Sequence, residues 1–223
     1  MSFDWQWDFT WEILPRLIVA TGNTLLAAGL GYAIAVVLGL VLALAQRTPY
    51  RPVTMAVREA VEFIRSTPLV LQIFFVFYVG PQFGIRLSPW TAGMIAIGLH
   101  YAAYLSEVYR AGLESVPKGQ WEAATSLNLS TARTYFRVII PQALPPSLAG
   151  MGNYLVGIFK DTPMLSVIGV AELMHTATAI GSETYRYLEP YTLVGIIFLV
   201  ISLPTAAGIR VFDAWVRRKL GLS

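Results

Sequence analysis

Between Leu17 and Ala45 the chain carries no charged side chain. A helix needs about 20 predominantly apolar residues to cross the hydrocarbon of a bilayer, so this run is long enough for one crossing and more. Thr21, Asn23 and Thr24 in its early part place its beginning in the outer interface. Ala27, Gly31, Ala35, Gly39 and Ala43 recur at every fourth position. Such a stripe of small residues lets a second transmembrane helix approach closely, from this chain or from another subunit.

Composition agrees with a membrane setting. Of the 223 residues 56% are apolar and 13% charged, whereas soluble domains carry about 25% charged residues. The length suits a single domain. No cysteine is present, which excludes disulfides and thiolate chemistry. The start of the chain is acidic and aromatic, unlike a cleaved signal peptide, which opens on basic residues. It is expected to form an outer segment over 1–16.

Further spans follow. Val53 to Arg65 is amphipathic and is expected to lie along the membrane surface or to climb into the second span. Pro68 should start or kink the apolar stretch after it. Trp90 to Tyr109 is the third span. At about 100° per residue, His100, Tyr104 and Glu107 share one face of it. Ionisable groups within a span usually face a cavity or the bundle interior. Glu107 is also spaced for a local pair with Arg110. Leu144 to Ala179 is too long for one straight crossing, and Lys160, Asp161 and Pro163 near its middle predict a broken helix. Those two charges read either as a gate or as a structural ion pair. Met164 to Ile180 would be the second half of that helix, 181–190 a polar outer loop and Tyr191 to Trp215 the last span.

The longest polar stretch between apolar ones is Gln120 to Pro141. It reads as two short helices meeting at Asn128, a residue that takes the left-handed conformation readily. Ser130 is placed to cap the second helix, which Pro141 should limit.

Five spans put the two ends on opposite sides, and charge says which is which. Twelve of the 16 basic residues fall on the hairpin's side, against Arg16, Arg86 and Arg186 on the other and Lys160 within the membrane. Cytoplasmic segments are the ones enriched in Lys and Arg. The hairpin and the C-terminus are therefore expected in the cytoplasm and the N-terminus outside. This placement also accounts for the net charge of +3 without invoking nucleic acid.

Catalytic chemistry is sparse. None of the three lysines follows a glycine, so no phosphate-binding loop of the G-x-x-x-x-G-K type exists. Two histidines without cysteine make a poor transition-metal set. A membrane hydrolase would have to use His175 with Ser166 or Ser182, and neither serine has a strained nucleophile signature around it. An ion-coupled secondary transporter would also have broken helices and interior charges. Such proteins usually contain an internal repeat, and no second copy of these motifs is evident.

The hairpin resembles the EAA motif of ABC importer permease subunits. Glu122-Ala123-Ala124 opens it, Asn128 stands at the glycine position, and Val138, Ile140 and Pro141 close it. FIRSTPLVLQ at 63–72, SEVYRAGLESVPKGQWEAA at 106–124 and FKDTPMLSVIGVAEL at 159–173 are similar to the polar amino-acid branch. Asn128, Pro163 and HYAAYLSEVYRAG at 100–112 are most similar to permease subunits for ectoine and hydroxyectoine.

This resemblance implies an all-α, polytopic membrane protein of the type I ABC importer permease architecture. Its transmembrane domain would cover 17–216, followed by a cytoplasmic tail over 217–223. It also implies an inner-membrane location in a bacterium, a second and different permease chain, an extracytoplasmic solute-binding protein, and a pair of ATP-binding subunits that use ATP and Mg²⁺. No cofactor, metal or catalytic residue would belong to this chain. Trp121, Glu122, Ala123, Ala124, Leu127, Asn128 and Pro141 would couple it to the ATPase. His100, Tyr104, Glu107, Lys160 and Asp161 would line or gate the path.

Overall fold

Packing, more than hydropathy, decides where the first helix begins. In the computed structural model, which describes residues 4–219, α1 spans Trp7–Ala45. Ile13, Leu17 and Ala20 on its early turns bury against Leu173, Ala177, Ile180 and Val194. That burial draws the acidic, aromatic start of the chain into the helix, and Pro15 is accommodated inside it. The separate segment expected over 1–16 is therefore, from Trp7 onward, part of α1.

The small-residue stripe serves the chain's own packing. Ala27, Gly31, Ala35, Gly39 and Ala43 are all buried, and α1 makes its most extensive contact with α4 (Pro89–Glu114). A Cβ on Gly39 would lie 2.9 Å from Leu105 Cβ and 3.0 Å from the Ala102 carbonyl oxygen. Only glycine allows that approach.

Helix α2 (Arg51–Ser66) lies at 108° to the unit that follows it, which consists of α3 (Leu69–Phe74), a π turn at Phe75–Val79 and a 3-10 turn at Gly80–Phe83. Thr67 and Pro68 form the extended elbow between them. The proline thus starts a helix, as its fixed φ and missing N–H dictate.

The hairpin consists of α5 (Lys118–Ser126) and α6 (Thr131–Arg133). A π turn at Thr134–Ile139 then carries α6 without interruption into α7 (Ile140–Asp161). Pro141 does not end the second helix. It stands in the first turn of α7, just past the π turn, where the hydrogen-bond ladder changes register and a missing N–H costs least.

The break in the long fourth segment is also displaced from its expected position. Helix α7 runs through Lys160 to Asp161, and Pro163 sits near the start of a 3-10 stretch at Thr162–Ile168. The chain breaks at Gly169, whose φ of 81° is left-handed, and α8 (Leu173–Thr184) leaves at 47°. Side chains meet several of the freed backbone groups. Glu172, fully buried, accepts from the Met174 and His175 N–H groups at 2.9 and 2.6 Å. Thr24 Oγ1 accepts from the Leu173 N–H at 3.0 Å, and Asn23 donates to the Ala171 carbonyl at 2.7 Å. Of the polar residues of α1 read as interfacial, Asn23 and Thr24 are thus partners of this break, as buried backbone groups require, while Thr21 donates to the Leu17 carbonyl within α1. The expected outer loop over 181–190 shrinks to Tyr185–Tyr187, because α8 and α9 (Leu188–Lys219) occupy the rest.

Among the described residues two helices, Trp7–Ala45 and Leu188–Val216, are long and apolar enough to cross a membrane, and up to four spans result if each bent pair counts as one. Helix α4 has the length but not the apolarity. It packs against α1, α2, α3 and α7 and carries His100, Tyr101, Tyr104, Glu107 and Tyr109.

Candidate functional site

A cavity of about 540 Å³ opens between α4 and α7, lined by His100, Tyr101, Tyr104, Val108, Gly150, Asn153, Tyr154, Gly157 and Asp161. Helical spacing on α4 presents His100, Tyr101 and Tyr104 together, and the last turn of α7 brings Asp161 to them. The Tyr101 hydroxyl donates to Asp161 Oδ2 at 2.7 Å. The rings form a continuous wall, with His100 5.1 Å from Tyr104 and Tyr154 5.5 Å from Tyr104, between centroids. Gly157 makes room for it, since a Cβ there would stand 3.1 Å from the Tyr101 hydroxyl. The result is an aromatic box with one carboxylate, a combination that attracts cations.

Of the five residues expected to line or gate a path, the cavity unites His100, Tyr104 and Asp161. Lys160 points away into a separate pocket with Pro163, Phe198 and Ser202, so the expected Lys160–Asp161 pair does not form. Adjacent helical residues diverge by about 100°, and Asp161 takes a tyrosine partner instead. Glu107 is likewise absent from the box. Arg110 donates to it at 2.6 Å and also binds Glu114 at 2.8 Å, the local pairing that the spacing allowed. These two carboxylates raise the pKa of Arg110, which lies just beyond the stretch read as a span. Glu107 instead lines a charged pocket of about 360 Å³ with Gln46, Arg58, Glu62 and Arg65.

Sequence reasoning missed Tyr101, Tyr154 and Gln72. Tyr101 lies one residue from His100, outside the face that His100, Tyr104 and Glu107 share, although tyrosines recur through this region of α4. Gln72 belongs to α3 and accepts from His100 Nδ1, at 3.1 Å.

At the hairpin, Asn128 has φ of 50°, one of two non-glycine residues with positive φ among those described. The Leu129 N–H donates to the Ala124 carbonyl at 3.1 Å and the Asn128 N–H to the Thr125 carbonyl at 2.9 Å. This paired ending is the Schellman arrangement. Ser130 then caps the next helix, its hydroxyl accepting from the Arg133 N–H at 3.4 Å. Glu122, Ala123, Leu127, Asn128 and Pro141 are exposed, whereas Ala124 is buried. Trp121 faces the bundle, edge-on to Tyr135 at 5.4 Å and beneath the Arg47 guanidinium at 5.1 Å. It packs on Leu113, Val116, Ile139 and Ala143.

Ser166 and Ser182 each donate to a carbonyl a few residues back, that of Pro163 and that of Thr178. Arg186, in the short α8–α9 loop, is paired with the buried Glu189, which raises its pKa. It also donates to the Asp4 carbonyl at 2.8 Å, tying the start of the chain to that loop.

An all-helical membrane protein with an interior box and an exposed bent hairpin defines a permease more readily than an enzyme. Residues 35–218 match the family of the binding-protein-dependent transport system inner membrane component. The chain is 43% identical over 220 residues to the probable amino-acid ABC transporter permease protein y4tG of Sinorhizobium fredii, covering 96% of this chain and 95% of that one. It is 37% identical over 194 residues to the L-cystine transport system permease protein TcyB of Bacillus subtilis, covering 85% and 83%. Its fold matches a chain in the crystal structure of an amino acid ABC transporter with histidines, with a TM-score of 0.86, 34% identity and coverage of 96% and 99%. The chain belongs to the binding-protein-dependent inner membrane component family and is a permease subunit of an ABC transporter. As such it is a translocation component that works with an ATP-binding subunit and a second permease.

Proposed function

We propose that this permease passes a small zwitterionic solute, an amino acid or an ectoine-type compatible solute, across a bacterial inner membrane. It does so in five spans, with the N-terminus outside and the hairpin in the cytoplasm. The domain covers 17–216, and the tail that follows extends beyond the described residues at 220–223. A different permease chain pairs with it, an extracytoplasmic binding protein delivers the solute, and ATP and Mg²⁺ are bound by the docked subunits.

The observation that carries this reading is the hairpin. A left-handed Asn128 and the Ser130 cap fix the angle between two helices, and the exposed Glu122, Ala123 and Leu127 face away from the bundle. A bent lever anchored through Trp121 and Ala124 transmits motion from a partner better than a loose loop would. Pro141, exposed on the returning helix, completes the docking surface. On the solute side, the aromatic box supplies Asp161, His100 and Tyr104 as path residues, with Lys160 and Glu107 in neighbouring pockets along the route.

Relatives named for amino-acid, L-cystine and arginine transport support an amino acid as solute. The ectoine reading rests on the motifs at 100–112, Asn128 and Pro163. ATP-dependent uptake into proteoliposomes tests the coupling. Glu122→Arg should abolish uptake and release the ATPase subunit, and unchanged ATP-driven uptake would refute the assignment of the hairpin. Equilibrium binding of ectoine, arginine and glutamine to the associated binding protein decides the solute.

A further inference from the structure

The elbow between α2 and α3 leaves the Ile64 carbonyl short of its helical donor, because the residue four positions on is Pro68, which has no N–H. The Thr67 N–H reaches that carbonyl at 3.4 Å and the Thr67 hydroxyl at 3.1 Å, and Gln72 adds the shortest donor. Its amide nitrogen lies 2.8 Å from the Ile64 carbonyl, 3.2 Å from the Thr67 carbonyl and 2.7 Å from Thr67 Oγ1. The Thr67 hydroxyl proton is spent on the Phe63 and Ile64 carbonyls, so Oγ1 acts only as an acceptor toward Gln72. Three acceptors around one nitrogen fix the orientation of the amide, since a flip would set its oxygen against two carbonyls.

The orientation of Gln72 determines a proton elsewhere. Its Oε1 faces His100 Nδ1 at 3.1 Å and can only accept, so the neutral ring carries its proton on Nδ1. Nε2 is left with a lone pair, and no hydrogen bond engages it among the described residues. The Tyr101 and Tyr104 hydroxyl protons are already committed, to Asp161 and to the Arg65 carbonyl. Of the lining residues only Asp161 carries a formal charge. Asn153 and Tyr154, without internal hydrogen bonds among the described residues, remain to serve the other end of a zwitterion.

We propose that Gln72 is a positioning residue that holds His100 as the Nδ1–H tautomer, so that His100 Nε2 and Asp161 together select solutes presenting an N–H cation. This rests on the reading of the box as the solute path. The selection follows from hydrogen-bond sense: a buried acceptor rewards an ammonium with protons and rejects a group of the same size that has none to donate.

The test uses the complete transporter in lipid, with the permease alone labelled at its histidine nitrogens and His175→Asn leaving His100 as its one histidine. Nuclear magnetic resonance should place the proton on Nδ1. Gln72→Leu should move it to Nε2 and raise the KM for uptake of a radiolabelled mixture of L-amino acids about tenfold. Gln72→Glu, which keeps an acceptor but loses the donors to the elbow, should hold the proton on Nδ1 and keep the KM near that of the parent. A proton on Nε2 in the parent overturns the proposal. So does an unchanged KM in Gln72→Leu after the proton has moved, or an equal loss in Gln72→Glu with the proton still on Nδ1. Unchanged uptake in Asp161→Asn would instead refute the box as the path.

Discussion

The Tyr101 hydroxyl reaches Asp161 at 2.7 Å and joins the middle of α4 to the last turn of α7, one wall of the box to the other. A hydrogen bond to a charged group contributes about 1.5–3 kcal/mol where it is shielded from water. Asp161 is only partly buried, which brings this one below that range. Tyr101→Phe keeps the ring and removes the donor, so it should lower stability by about 1 kcal/mol and impair uptake more than its effect on folding predicts. Thermal unfolding in detergent and uptake into proteoliposomes, measured on the same preparation, check both parts.

Gly112 lets α4 lie tight against α7. A Cβ there would fall 2.1 Å from Ser147 Oγ and 2.6 Å from the Ala143 carbonyl oxygen. The hydroxyl could rotate away, but the carbonyl is backbone and cannot. Gly112→Ala should therefore cost about 1–3 kcal/mol through forced separation of the helices. Adding Ser147→Ala should restore little of it. Detergent unfolding midpoints of the single and double variants measure the difference.

The stripe on α1, the Pro68 elbow, the Asn128 corner and the Ser130 cap were all legible in the sequence, because each depends on chemistry within a few residues of itself. Positions set by distant partners were not. The break in the fourth segment falls at Gly169, where Thr24 and Asn23 of α1 can receive it, rather than at the charged Lys160 and Asp161. Within the box, spacing along α4 found His100 and Tyr104 but also pointed to Glu107, whose tie to Arg110 takes it elsewhere. Gln72 gave no sign of its role, since its meaning depends on the elbow that it caps and on the ring that it faces.

At Asn128 the φ of 50° can be tested by residue choice. Glycine adopts it freely, whereas a β-branched side chain meets a steric cost of about 1–2 kcal/mol. Asn128→Gly should leave the hairpin and the ATPase coupling intact. Asn128→Val should loosen the corner and weaken retention of the ATP-binding subunit on affinity purification, while the unfolding of the bundle changes little.

Trp121 and Glu122 are neighbours in sequence but have opposite environments, and substitution should separate their roles. The indole packs on Leu113, Val116, Ile139 and Ala143 and is flanked by Tyr135 and Arg47. Truncating a half-buried tryptophan removes much of that apolar contact, so Trp121→Ala should destabilise the permease by about 2–3 kcal/mol. The loss should be evident in the isolated subunit. Glu122 is exposed and makes no ion pair among the described residues, so Glu122→Ala should leave the unfolding midpoint unchanged. If the hairpin docks as proposed, the same Glu122→Ala should lower ATP-driven uptake and copurification of the ATPase several-fold. A variant of Glu122 that unfolds early, or one of Trp121 that affects only the partner, would reverse the assignment of anchor and docking residue.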